Sequence, residues 1–79
     1  MHNRYFVSGG SRLVRFGTTP SDSHIVAICA DVDVAHCAAD TLNHAKFLQY
    51  KNKATAAARE IAAAERLPGF QWKTKAGEA

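Results

Sequence analysis

The chain has 79 residues, a formal charge of +3, and 22% charged against 47% hydrophobic residues. A chain near this size buries only roughly 60% of its unfolded surface, which leaves one small domain over 1–79 and no room for a deep enzyme cleft, so surface binding or self-association is expected. Cys29 and Cys37, embedded in apolar sequence, exclude a secreted disulfide scaffold; Met1-His2-Asn3-Arg4 has no signal-peptide core, and no apolar run approaches the roughly 20 residues that cross a bilayer. A reducing cytoplasm is the expected setting, and a membrane is not an expected partner.

The first strands are carried by Tyr5, Phe6, Val7, Val14 and Phe16, whose aromatic and β-branched side chains suit a pleated, half-buried surface. Between them, Ser8-Gly9-Gly10-Ser11 supplies the positive φ angles of a tight hairpin turn. A two-residue turn at Gly9-Gly10 places Val7 opposite Arg12, Phe6 opposite Leu13, Tyr5 opposite Val14 and Arg4 opposite Arg15. Alternation then gives one apolar face of Tyr5, Val7, Val14 and Phe16 and a second face of Phe6 and Leu13 flanked by Arg4 and Arg15. The turn-forming run Gly17 to Ser23 leads into a third strand, His24 to Cys29. That strand is apolar on both sides, so the sheet needs cover on two faces: one from a helix of this chain, the other from its later helix, a second subunit or a target.

Asp31 and Asp33 are candidate N-caps for a helix beginning near Val34. Val34, Ala38, Thr41, Leu42 and Ala45 mark its inner face, and Phe47, Tyr50, Ala54, Ala57, Ile61 and Ala64 form a second periodic set that ends at Leu67-Pro68-Gly69. The two sets are out of phase, which predicts a bend or a junction between Asn43 and Gln49. In the second set Phe47, Tyr50 and Ile61 are expected to provide most of the hydrophobic energy, at roughly 1.5–3 kcal/mol each. Trp72 is expected to dock, with a loose tail over 74–79. The fold class that follows is α+β: a three-stranded antiparallel β-meander over about 4–30, then a long or broken Ala-rich helical region over about 33–67.

No catalytic, cofactor or metal signature stands out, and the chain reads as a non-enzyme. His36, Asp40 and His44 share a helix face at a spacing from which they could approach one divalent metal, but a solvated polar stripe has the same pattern and is the preferred reading. Cys29 and Cys37 lack the short spacing of redox motifs. Gly9-Gly10 is followed by neither the Lys-Ser or Lys-Thr nor the helix of a phosphate loop. Basic side chains remain: Arg4, Arg12 and Arg15 on the hairpin, and Lys46, Lys51, Lys53 and Arg59 along the helical half. They suit phosphates, with Tyr5 or Phe6 stacking on a base, and they equally suit a protein partner, because arginine and aromatic side chains anchor hot spots. The Ala-rich helix also permits close pairing in a homodimer.

The strand His24-Ile25-Val26-Ala27-Ile28-Cys29-Ala30, with the acidic cap and the Ala-rich helix reaching Thr41-Leu42-Asn43, resembles short accessory proteins encoded by bacteriophages and prophages. The resemblance covers residues 4–45, and the helical extension from Lys46 departs from the shortest of these proteins. It implies a protein that binds and inhibits a host protein complex, with anti-CRISPR proteins that block a CRISPR-Cas effector as the best-known class. It transfers no site residue. Arg4, Phe6, Arg12, Leu13 and Arg15 are therefore the partner-binding candidates on physical grounds alone. The alternative is a small basic nucleic-acid-binding module.

Overall fold

The computed structural model describes residues 3–73. Three strands, β1 (Arg4–Val7), β2 (Leu13–Gly17) and β3 (Ser23–Ile28), are followed by helices α1 (Val32–Tyr50) and α2 (Ala54–Glu65) and a two-residue strand β4 (Gln71–Trp72). The class is α+β, and the strands form one antiparallel sheet in the order β1-β2-β3-β4. The expected three-stranded meander thus gains a fourth strand, which pairs Trp72 with Ala27 and Gln71 with Ile28. The expected loose tail over 74–79 lies outside the described residues.

The hairpin register differs from the two-residue-turn expectation. Val7 pairs with Val14, Phe6 with Arg15, Tyr5 with Phe16 and Arg4 with Gly17, each partner two residues further along than expected. Gly9 takes φ +63° but Gly10 stays outside the positive-φ region, so the paired left-handed residues of the tight turn do not form. A shift of two residues preserves side-chain parity, and the expected faces survive. Val14 is fully buried, and Tyr5, Val7 and Phe16 pack against the same core.

One helix layer covers that inner face. Asp31 is the N-cap of α1, its Oδ1 accepting from the Val34 N–H at 2.9 Å, and Asp33 lies in the first turn. α1 lays Ala35, Ala38, Ala39 and Leu42 into the core beside Val14, Ala27 and Cys29. α2 lies against α1, burying Ala57 and Ala64. Alanines let the layers approach closely, and Leu42 is the largest fully buried side chain.

The junction between helices lies beyond the expected Asn43–Gln49 segment. At the end of α1 the Asn52 N–H donates to the Gln49 carbonyl (3.0 Å) and the Lys53 N–H to the Leu48 carbonyl (2.8 Å), with Asn52 at φ +61°. This is a Schellman stop with asparagine in its left-handed position. The expected inner-face roles of Phe47 and Tyr50 are overturned. They are 54% and 82% exposed, because burial along α1 ends at Ala45, and neither ring supplies core energy. Only Ile61 of the three expected large side chains packs against the core.

The chain returns to the sheet through Leu67-Pro68-Gly69. The Ala30 N–H donates to the Pro68 carbonyl at 3.0 Å. Gly69, at φ +68°, passes so close that a Cβ there would lie 2.8 Å from the Ala30 nitrogen. Phe70 and Trp72, edge to face at 5.1 Å, then pack against the core, and Trp72 donates its indole N–H to Glu65 at 2.6 Å.

Candidate interaction surface

The helices occupy one side of the sheet, and the side chains pointing the other way form a continuous surface. Directly opposed residues share a face, so the register gives two rows across the strands: Phe6, Arg15 and Ile25, then Leu13, Ile28 and Gln71. Arg4, two residues before Phe6 on β1 and opposite Gly17, shares this face, its guanidinium carbon 5.3 Å from the centre of the Phe6 ring. Phe6, Leu13, Ile25 and Ile28 are half-buried and belong to neither the core cluster nor its partly buried lining. They shelter one another without a helix above them.

Four of the five sequence candidates, Arg4, Phe6, Leu13 and Arg15, thus meet on one face. Arg12 does not join them in the sheet; it is exposed in the turn before β2, where its carbonyl accepts the Cys29 N–H at 3.0 Å. Ile25 and Ile28 are the members that sequence reasoning left unassigned. They stand three apart and in regular pleating would point to opposite faces, but a register shift places both outward. The irregularity leaves Val26 without a partner on β2 and buried.

Arg15 is held in place, its Nη1 donating to Ser23 Oγ at 3.3 Å and reaching the Pro20 carbonyl at 3.5 Å. Neither Arg4 nor Arg15 has a carboxylate partner among the described residues, where the contact between a basic side chain and a carboxylate is that of His44 Nδ1 with Glu60 Oε1. The surface therefore offers an apolar centre and uncompensated positive charge, a combination that fits a partner with an apolar patch rimmed by carboxylates.

The edges of the sheet are less available than this face. β1 is an edge strand, and the Asn43 side chain of α1 occupies its backbone: the Tyr5 N–H donates to Asn43 Oδ1 at 2.7 Å and Asn43 Nδ2 donates to the Tyr5 carbonyl at 2.8 Å. The amide takes the place of a neighbouring strand. β4, at the opposite edge, is two residues long. Tyr5 stacks obliquely on Phe16 at 4.7 Å on the inner face, and burial pushes its hydroxyl pKa up. That placement removes Tyr5 from the base-stacking role considered for it.

His36, Asp40 and His44 are all exposed on α1, and His44 Nδ1 bonds Glu60 of α2. Among the described residues no three His, Cys, Asp or Glu side chains are grouped to hold a metal. Cys29 is buried and Cys37 exposed, both as free thiols. No helix among the described residues is long and apolar enough to cross a membrane. No model of a protein family, no curated protein and no solved structure matches this chain.

Proposed function

We propose that this protein acts without catalysis, by binding another protein through the uncovered face of its sheet. The partner we propose is a host protein complex in the bacterial cytoplasm, of the kind inhibited by small phage-encoded proteins, a CRISPR-Cas effector among them. The observation that carries the binding mode is the surface of Phe6, Leu13, Ile25 and Ile28 beside Arg4 and Arg15. A ring and a guanidinium next to aliphatic side chains match the composition of interface hot spots, and the unpaired arginines select an acidic rim on the partner. The inhibitor class comes from the resemblance over residues 4–45.

The test is affinity capture from nuclease-treated bacterial lysate with the wild-type protein and with variants of this face. A stoichiometric defence complex retained by wild type and lost with Phe6→Ala or with Arg4→Glu and Arg15→Glu supports the proposal, provided the variants keep a cooperative unfolding transition. Unchanged capture by a folded protein carrying alanine at Arg4, Phe6, Leu13 and Arg15 would remove this surface. Loss of every partner on nuclease treatment favours the nucleic-acid-binding module, and sedimentation that depends on Phe6 favours a second copy of this chain as the occupant.

A further inference from the structure

A second surface lies where α1 ends. Phe47 and Tyr50 are the exposed large hydrophobic side chains among the described residues, and they are three positions apart, on one side of the last helical turns. Lys51 stands with its Nζ 5.7 Å from the Phe47 ring centre and 5.9 Å from that of Tyr50. Lys46, one turn before Tyr50, lies 4.9 Å from the Phe16 ring, and Lys53 is exposed in the junction. None of these lysines has a carboxylate partner among the described residues. The Schellman stop fixes the backbone that carries them.

We infer that this corner binds single-stranded nucleic acid, with unstacked bases lying on Tyr50 and Phe47 and the ammonium groups of Lys46, Lys51 and Lys53 meeting the phosphates. Each nucleotide presents a flat π-face and an anionic phosphate a few ångström apart, which matches rings interleaved with lysines. A duplex keeps its bases within the stack and cannot offer those faces to the two exposed rings. An anionic membrane fits less well, because it calls for an apolar stripe along a helix, whereas Gln49 and Asn52 beside the rings are polar and exposed. The inference does not depend on the sheet face, which involves different residues on different elements.

The experiment is fluorescence anisotropy of a labelled oligothymidylate about a dozen nucleotides long, titrated with the full chain at several salt concentrations. Tyr50→Ala or Phe47→Ala should weaken binding roughly fivefold to a hundredfold, while Tyr50→Phe retains it. Lys51→Ala should make the dependence of log affinity on log salt shallower by about 0.7. Tyr50 is so exposed that its variants should unfold at the wild-type temperature, which thermal denaturation checks. The inference fails if wild type does not bind at low salt, if a folded Tyr50→Ala binds equally well, or if a duplex of the same length binds as tightly. It also fails if binding is lost in Phe6→Ala with Arg15→Ala but not in Tyr50→Ala, which would move the nucleic acid to the sheet face. Vesicles containing phosphatidylserine bound through Tyr50 in place of the oligonucleotide would overturn it in favour of a membrane.

Discussion

Asn43 shows how one side chain settles two questions at once. Its amide satisfies both the N–H and the carbonyl of Tyr5, groups that would otherwise be half-buried without partners on an open strand edge. Asn43→Ala should cost about 1–3 kcal/mol, read as a lower urea midpoint, and should promote association between β1 edges as protein concentration rises. An unchanged midpoint would mean that water replaces the amide without loss. The two thiols diverge in the same local way. Burial pushes the Cys29 pKa up from its ordinary 9.0, with smaller contributions from the Asp31 charge and from Cys37, whereas Cys37 is exposed. A thiol-specific disulfide reagent at neutral pH should modify Cys37 in the native protein and Cys29 only after unfolding. Because the folded pKa of Cys29 is raised, stability that depends on its neutral thiol is present below pH 9.0 and is lost as pH rises further. Cys29→Ala should flatten that alkaline decline, and equal native reactivity of both thiols would contradict the burial of Cys29.

At the scale of elements, the helix junction sets stability against charge. Lys53 is the N-cap of α2, yet it makes no side-chain cap hydrogen bond and places positive charge at the positive end of the helix. Lys53→Asp should therefore stabilise the fold by about 0.5–1 kcal/mol, a rise of several degrees in melting temperature for a domain of this size. The same change should weaken oligonucleotide binding at the corner, and a variant improved in both respects would count against Lys53 contacting phosphates. This junction also marks where the sequence was hard to read. The out-of-phase apolar sets correctly imply a break, but periodicity cannot show that burial along α1 stops at Ala45, since exposed Phe47 and Tyr50 fall on the same helical spacing as core residues. The hairpin was legible in its faces because parity tolerates a two-residue register change. Its pairing was not, because two adjacent glycines permit more turns than the one they suggest. Ile25 and Ile28 could not be placed together from sequence, since the register irregularity that aligns them arises only when β3 meets β2. β4 is a strand only because Gly69 brings Gln71 and Trp72 beside Ala27 and Ile28.

The two proposed surfaces belong to one small body. The sheet face selects an apolar patch with carboxylates, the corner at the end of α1 selects bases with phosphates, and Asn43 closes much of the edge through which a strand could add. A partner containing both protein and single-stranded nucleic acid would engage both surfaces, and the second contact would then form at high effective concentration, raising affinity by about 10²–10⁴ where the geometry allows both. Immobilised wild-type protein should accordingly hold such a nucleoprotein complex at least about a hundredfold more tightly than the same complex stripped of its nucleic acid. Phe6→Ala and Tyr50→Ala should each remove most of that advantage. On the stripped complex, however, Phe6→Ala alone should matter, because Tyr50 has no base to contact. Against separate protein and oligonucleotide ligands the two substitutions should act independently, each within about 0.5 kcal/mol of its single effect. Equal affinity for the intact and stripped complexes would mean that the corner contributes nothing when the sheet face is engaged, leaving the protein surface to account for binding alone.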